Sequence, residues 1–553
     1  MNKLISFLYL SITIIGCSGP DSYEVIIRNG NIYDGSGMPP FRGDIGIRGD
    51  SIAFIGDLGK ARSVSEIDAT GLSVAPGFIN MLSWANESLI EDGRSQGDIR
   101  QGVTLEVLGE GDSMGPLNDQ MKEDLKKSQS DIKYDIGWTS LGEYLDYLVG
   151  KGVSTNVASF IGTATVRIYT IGYDDRAPTF VELDSMKLLV REAMEEGAVG
   201  VSSALQYVSA SFAKPDELEV LAAEAKAYDG MYITHVRDEG LGLLHALDEA
   251  INVAARTGVR TEIYHLKQSG KASWTLLDDV ISKIDSARSA GLHITADMYN
   301  YIASSTGFDI VMPAWVQEGG FDKWRRRLMD PVIRRRIAPE IKKSLMERTG
   351  SAEKVMVIGF NTDSLKYLTG KTLAEVASMR RKSPEETIMD LVIDDNSRIG
   401  VVYFSMLEEN VKRQITLPWM AFCSDGGSYS AEGVFLKFST HPRAYGNFAR
   451  LLGKYVRDEK VISLEEAVHK LSEFPATNLK LDRRGSLKTG YFADIVVFDQ
   501  NIIRDNATFE NPHQYAIGME HVFVNGVPVI KDGEHTGAKP GRVVRGPGYK
   551  KKL

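Results

Sequence analysis

Eight short apolar runs alternating with stretches of helical spacing predict an α/β chain built on a (β/α)8 TIM barrel. β-rich segments at both chain ends predict a small β domain made from the two termini. A stretch before the last apolar run, far longer than a crossover needs, predicts a helical insertion over the barrel mouth.

In chain order, Lys3 is the one charge in a short start, and the largely apolar run Leu4 to Ile15 follows it. A membrane-spanning helix needs about 20 apolar residues, so this run reads as a signal peptide rather than a span. It ends in Ile14-Ile15-Gly16-Cys17, which resembles the lipobox of bacterial lipoproteins, where the cysteine is acylated. Residues 1–17 are therefore expected to be a leader ending in a lipidated Cys17. The product would be a periplasmic or surface lipoprotein of a bacterial cell envelope, touching membrane only through that anchor. An ordinary signal peptide that happens to contain a cysteine is the plainer alternative.

Residues 23–73 carry short apolar runs punctuated by the turn signals Asn29-Gly30, Asp34-Gly35 and Gly49-Asp50. Residues 485–545 match them with Asp494-Ile-Val-Val-Phe498 and Val522-Phe-Val-Asn525, and a small β-sandwich is expected from the two segments together. Residues 74–484 are read as the barrel. Its expected strands are Val74–Leu82, Thr104–Gly109, Asn156–Ile161, Ala198–Ser203, Tyr232–Val236, Glu262–Leu266, His293–Met298 and Trp419–Ser424. Asp216–Tyr228 and Leu241–Arg256 have helical apolar spacing between strands, and residues 304–406 form the insertion.

The 553 residues are 43% hydrophobic and 25% charged, the composition of an ordinary folded enzyme. A net charge of −10 argues against a nucleic-acid partner, because phosphate binding needs a basic face. Of two cysteines, Cys17 is assigned to lipid, which leaves Cys423 without a disulfide partner.

Catalytic groups of such barrels sit at the carboxyl ends of strands. Glu110 follows the second expected strand, His235 ends the fifth, His265 the sixth and Asp425 the eighth. Two imidazoles and two carboxylates converging on one rim can hold zinc and position an acid or base. Singly, each reads as well as a structural residue; Glu110 reads equally as a loop cap.

Seven further stretches complete the picture: Ile32-Tyr-Asp-Gly35, Val74-Ala-Pro-Gly-Phe-Ile79, Thr234-His-Val-Arg-Asp-Glu-Gly240, Tyr264-His-Leu-Lys267, Ala296-Asp-Met-Tyr-Asn-Tyr301, Cys423-Ser-Asp-Gly426 and His441-Pro-Arg-Ala-Tyr-Gly-Asn-Phe448. In this order, with the closing segment Gly485 to Phe498, they resemble the amidohydrolase superfamily and, within it, the D-aminoacylases (N-acyl-D-amino-acid deacylases). The departures are as informative. The family's first strand ends in His-x-His, ligands of a more exposed metal position, whereas this chain has Leu82 and Trp84. The family's strand-two cysteine ligand aligns with Gly111, and Glu110 stands beside it.

The resemblance implies metal-assisted amide hydrolysis at the tighter metal position, with one zinc held by Glu110, His235 and His265. Zinc would bring the pKa of water to about 7, and Asp425 would move the proton from that water to the leaving amine. Tyr207 would help stabilise the oxyanion. Lys267, Arg443, Tyr299 and Ser305 match substrate-contacting positions, and a guanidinium fork at Arg443 suits the free carboxylate of an N-acyl amino acid. Lys267 is also expected to share a strand face with His265 by period-two alternation. Trp84 reads as pocket wall or core, and His441 as structural. Two other readings stand beside this one: an amidohydrolase of a cyclic amide or dipeptide, and a degenerate barrel that binds an envelope ligand without turnover.

Overall fold

A computed structural model describes residues 22–551. The expected leader and lipidated Cys17 lie outside the described residues. Among the described residues no helix is long and apolar enough to cross a membrane.

The chain opens with β1 (Ser22–Ile32), β2 (Phe41–Arg48), β3 (Ser51–Gly56), β4 (Arg62–Asp68) and β5 (Ser73–Pro76). β1 pairs antiparallel with β2 and parallel with β4 and β5, while β2 and β3 form a hairpin around Gly49-Asp50. The run expected as one strand, Val74–Leu82, divides at Gly77. Its first half joins this sheet as β5, and its second half becomes β6 (Phe78–Asn80) of the parallel body. The physical reason is proximity: a Cβ at Gly77 would lie 2.0 Å from Thr104 Oγ1, so only glycine lets the backbone pass there.

The body continues with β7 (Val103–Leu108), β8 (Asn156–Ser159), β9 (Ile161–Gly162), β10 (Gly200–Ala204), β11 (Met231–His235), β12 (Arg260–Ile263) and β13 (Ile294–Met298). β6, β7 and β8 pair in parallel, as do β9 to β13 in order. Phe160 alone separates β8 from β9, so the third expected strand is broken in two, and its N–H still donates to Leu108 O at 2.9 Å. The strands are buried throughout β7 and β11, which explains their near-continuous apolar sequence. Helices cover them outside. The helix Leu243–Thr257 buries Leu243, Ala246, Leu247, Ala250, Val253 and Ala254, a stripe of three- and four-residue steps, and stops at Gly258 with φ 68°.

The insertion departs from expectation. It contains β14 (Ser304–Gly307), β15 (Val355–Gly359) and β16 (Gly400–Tyr403), an antiparallel sheet in the order β14-β16-β15, as well as helices such as Phe321–Met329 and Pro331–Thr349. Strands of four or five residues carry too little periodicity to show beside a 19-residue helix. This unit has its own core, including Phe308, Trp324, Ile337, Ile341, Val357 and Tyr403. β17 (Met420–Phe422) then pairs with β13. Met81 N–H donates to Phe422 O at 3.3 Å, Asp425 N–H to Leu82 O at 3.0 Å, and Ser83 bridges Gly426, so the last strand lies beside the first.

The chain closes with β18 (Ile495–Phe498), β19 (Met519–Val524), β20 (Val527–Lys531) and β21 (Glu534–His535). β18 pairs with β5, which makes β5 the seam of one nine-stranded sheet contributed by both chain ends. Ile27, Ile45, Ile47, Val74, Ile495, Val497 and Phe523 form its core. The tail leaves this sheet before residue 545. Val157 N–H donates to Arg542 O at 3.0 Å and Val544 N–H to Val157 O at 2.8 Å, so the tail's backbone pairs with β8 instead.

Candidate active site

The loop after β7 runs Gly109-Glu110-Gly111, with both glycines at positive φ (94° and 65°). A Cβ at Gly111 would stand 2.5 Å from Ala204 Cβ, and Gly111 N–H donates to Ser202 Oγ at 3.0 Å. No ligating side chain fits at position 111, and the carboxylate one residue earlier enters the site instead. His235 is the last residue of β11. His265 lies two residues beyond β12, at φ 35°, with its N–H held by Asp297 Oδ1 at 2.7 Å. A non-glycine residue in the left-handed region costs energy and persists only where neighbours impose it, a common feature of functional sites. Asp425 shares it, at φ 47°.

These side chains meet. Glu110 Oε1 is 2.9 Å from His235 Nδ1 and 2.9 Å from His265 Nε2, and all three residues are buried. The two imidazoles pack edge to face with centroids 4.5 Å apart. One ligand atom from each residue lies within 4.8 Å of the others, and among the described residues this is the one such cluster of three. A carboxylate and two imidazoles this close together are a donor set that could hold a metal ion. The His235 Nε2 is buried without a hydrogen-bond partner among the described residues. Burial would raise the Glu110 carboxyl, but the charge of His265 and hydrogen bonds from both histidines hold it well below the usual range.

Glu239 joins them, a residue not singled out from the sequence. Its Oε1 is 3.3 Å from His265 Nδ1 and 3.6 Å from His235 Nε2, and it pairs with Lys267 Nζ. Lys267 Nζ also lies 2.9 Å from His265 Nδ1. Burial opposes the Glu239 charge, yet the Lys267 ammonium holds its carboxyl well below the ordinary value. Lys267 thus reaches His265 as expected, but not by strand alternation: β12 ends at Ile263, and the positive φ of His265 breaks the period. The signal for Glu239 was its place four residues after His235 in Thr234–Gly240.

Asp425 faces Arg443, the first residue of the helix Arg443–Arg450. Arg443 Nη1 is 2.8 Å from Asp425 Oδ2, its Nη2 donates to Ser305 O at 3.3 Å, and its guanidinium lies 4.4 Å from the Tyr299 ring centre. Burial raises the Asp425 carboxyl, only partly offset by Arg443 and His265. Arg443 Nε and the Tyr299 hydroxyl are buried without partners among the described residues. Ser305 contributes its carbonyl; its hydroxyl donates to Val401 O at 3.0 Å within the insertion's own sheet. Tyr207 packs edge-on to His235 with centroids 5.2 Å apart, and its hydroxyl pairs with Thr306 Oγ1 at 2.8 Å. The insertion therefore builds one side of the site. His441 uses both ring nitrogens, one toward Ala303 O and one accepting from Arg443 N–H, and so fixes the start of that helix. Leu82 is fully buried, whereas Trp84 is 40% exposed at the rim.

With this geometry in place, relatives decide the family. A model described as the amidohydrolase family matches residues 345–530. A D-aminoacylase of Alcaligenes xylosoxydans xylosoxydans is 32% identical over 531 residues, covering 95% of this chain and 98% of that one. The chain belongs to the D-aminoacylase family of amidohydrolases. Among solved structures, the N-acyl-D-glutamate deacylase of Bordetella bronchiseptica, complexed with zinc and a phosphonate mimic of the tetrahedral intermediate, is 29% identical. It matches 95% of this chain and 100% of its own with a TM-score of 0.78. A D-aminoacylase structure described in terms of a binuclear metal centre, with one-metal activation and second-metal attenuation, is 28% identical. It has a TM-score of 0.79 over 95% of this chain and 100% of its own. D-aminoacylases are hydrolases of carbon–nitrogen bonds other than peptide bonds, and metal dependence goes with the family. Glu110 thus stands where the resemblance leads one to expect a cysteine ligand, and Leu82 and Trp84 where it leads one to expect His-x-His.

Proposed function

We propose that this chain hydrolyses the amide bond of N-acyl-D-amino acids or related D-residue-containing compounds, on a closed (β/α)8 barrel carrying one zinc. The carrying observation is the convergence of Glu110, His235 and His265 on one buried point. These three residues would hold the ion. When bound, zinc supplies Lewis acidity that polarises a carbonyl and acidifies water.

The chain's own residues divide the remaining work. Asp425 accepts the proton lost by the attacking water and delivers it to the departing amine nitrogen. Its burial keeps the carboxyl basic enough for this, and Arg443 Nη1 holds it in place. The unpartnered Arg443 Nε and Tyr299 hydroxyl are free to receive the substrate carboxylate, since buried polar groups need partners. Glu239 and Lys267 orient the imidazoles from behind, as outer partners of metal-binding histidines do. Tyr207 is placed beside His235 to donate to the carbonyl oxygen as its charge grows, once its hydroxyl exchanges Thr306 for substrate.

Zinc quantitation on purified protein, followed by a panel of N-acyl amino acids of both hands, tests this reading. It expects about one zinc per chain and turnover confined to D-substrates. Absence of bound metal would overturn it in favour of a non-catalytic binding barrel, and cleavage of cyclic amides or dipeptides alone would replace the substrate. We propose further, from Ile14-Ile15-Gly16-Cys17, that the enzyme is a cell-envelope lipoprotein. Mass spectrometry of the mature amino terminus should find acylated Cys17; an unmodified terminus elsewhere rejects the anchor.

A further inference from the structure

Two of this chain's departures from the family pattern touch each other. Trp84, standing where the second histidine of His-x-His belongs, donates its indole Nε1–H to Glu110 Oε2 at 3.0 Å. Glu110, standing in for the cysteine, turns its other oxygen, Oε1, to His235 and His265 at 2.9 Å each. A thiolate has one donor atom, whereas a carboxylate has two and can rotate or bind through both. An unrestrained glutamate on a glycine-flanked loop is therefore a poor replacement for cysteine.

We infer that Trp84 is a positioning residue: its indole N–H occupies Glu110 Oε2, so that the carboxylate offers the metal a single, oriented oxygen. This rests on the metal reading proposed above. The anchoring is firm on both sides. Trp84 N–H donates to Gly426 O at 3.0 Å and Ser83 N–H to Val107 O at 2.8 Å, which suspends the indole from the junction of first and last strands. The Glu110 backbone is held by the tight approach of Gly111 to Ala204 and by the Gly111 N–H bond to Ser202 Oγ at 3.0 Å. One residue thus supplies the restraint that a glutamate in place of cysteine requires.

The test compares wild type with Trp84→Phe, which keeps an aromatic ring and removes the N–H, and Trp84→Gln, which restores an N–H donor without adding an imidazole or a charge. Zinc affinity is measured by competition with a chromophoric chelator on the full mature chain, alongside a circular-dichroism check of folding. Trp84→Phe should bind zinc about 10- to 100-fold more weakly, the usual loss when an outer partner of a ligand is removed. Trp84→Gln should recover most of that loss. Zinc added to metal-free wild type should shift tryptophan emission, and the shift should vanish in Trp84→Phe. Unchanged affinity in Trp84→Phe, or equal losses in both variants, would overturn the inference while leaving the metal reading intact. Should Trp84→Phe fail to fold, Trp84→Gln near wild-type affinity supports the inference, and Trp84→Gln that has lost zinc overturns it. Wild type that takes up no zinc overturns both.

Discussion

The two sides of the candidate active-site rim are built in opposite ways. Around β7, β11 and β12, polar side chains are buried, mutually hydrogen-bonded and buttressed from behind by Glu239, Lys267 and Asp297. At the end of β6, the corresponding positions are a buried leucine and a half-exposed tryptophan. The two halves of the rim are therefore built independently, and only the first carries clustered donor side chains with supports behind them.

The largest effect should come from breaking the first half at its ligands. His235→Ala, His265→Ala and Glu110→Ala each leave two ligands, too few for a closed site. Metal analysis should show zinc affinity falling by more than about 100-fold, beyond the range of losses from outer contacts. Full zinc and activity in Glu110→Ala would reduce Glu110 to a loop residue.

Next comes Asp425, which sharpens the division between binding metal and moving protons. Asp425→Asn should keep zinc while kcat falls by about 100- to 10,000-fold. Arg443 follows: Arg443→Ala should lower kcat/KM about 30- to 1000-fold, and Arg443→Lys should not rescue it, because an ammonium cannot reach Asp425, Ser305 O and a substrate carboxylate in fixed directions as the guanidinium does. The pH profile gives the sign of the coupling. Arg443 favours the ionised form of Asp425 against its burial. Without Arg443 the carboxyl should titrate at higher pH, and the acidic limb of kcat/KM should move upward. An unmoved limb would detach Arg443 from Asp425.

The smallest expected loss is at the buttress. Glu239→Gln should weaken zinc binding about 10- to 100-fold, measured by chelator competition, with the metal still one per chain at saturation. A variant indistinguishable from wild type would mean that Lys267 alone orients His265.

The principal residues of the site were legible because each carries rare chemistry at a strand end: Glu110, His235, His265 and Asp425 needed only an α/β pattern to be placed. Lys267 was placed correctly for a reason that failed, since the strand ends before His265 and a left-handed residue redirects the chain. Glu239 was hidden because it belongs to a loop, where neither periodicity nor strand position ranks one carboxylate above another. Ser305 matched a family position, but the short strand β14 turns its hydroxyl into the insertion's sheet.

By itself the sequence determined the α/β alternation, the β-rich ends, the long insertion and the three side chains that cluster as a candidate metal site. These follow from local periodicity and from residue chemistry that survives any packing. Tertiary structure alone decided that β5 and β6 part at Gly77, that the insertion carries a sheet, and that Arg443 faces Asp425. It alone brought Trp84 to Glu110, 26 residues away in sequence. Such contacts depend on which strands become neighbours and on how closely a backbone passes a neighbouring residue, as Gly77 passes Thr104 and Gly111 passes Ala204. Neither quantity has a signature in a linear pattern.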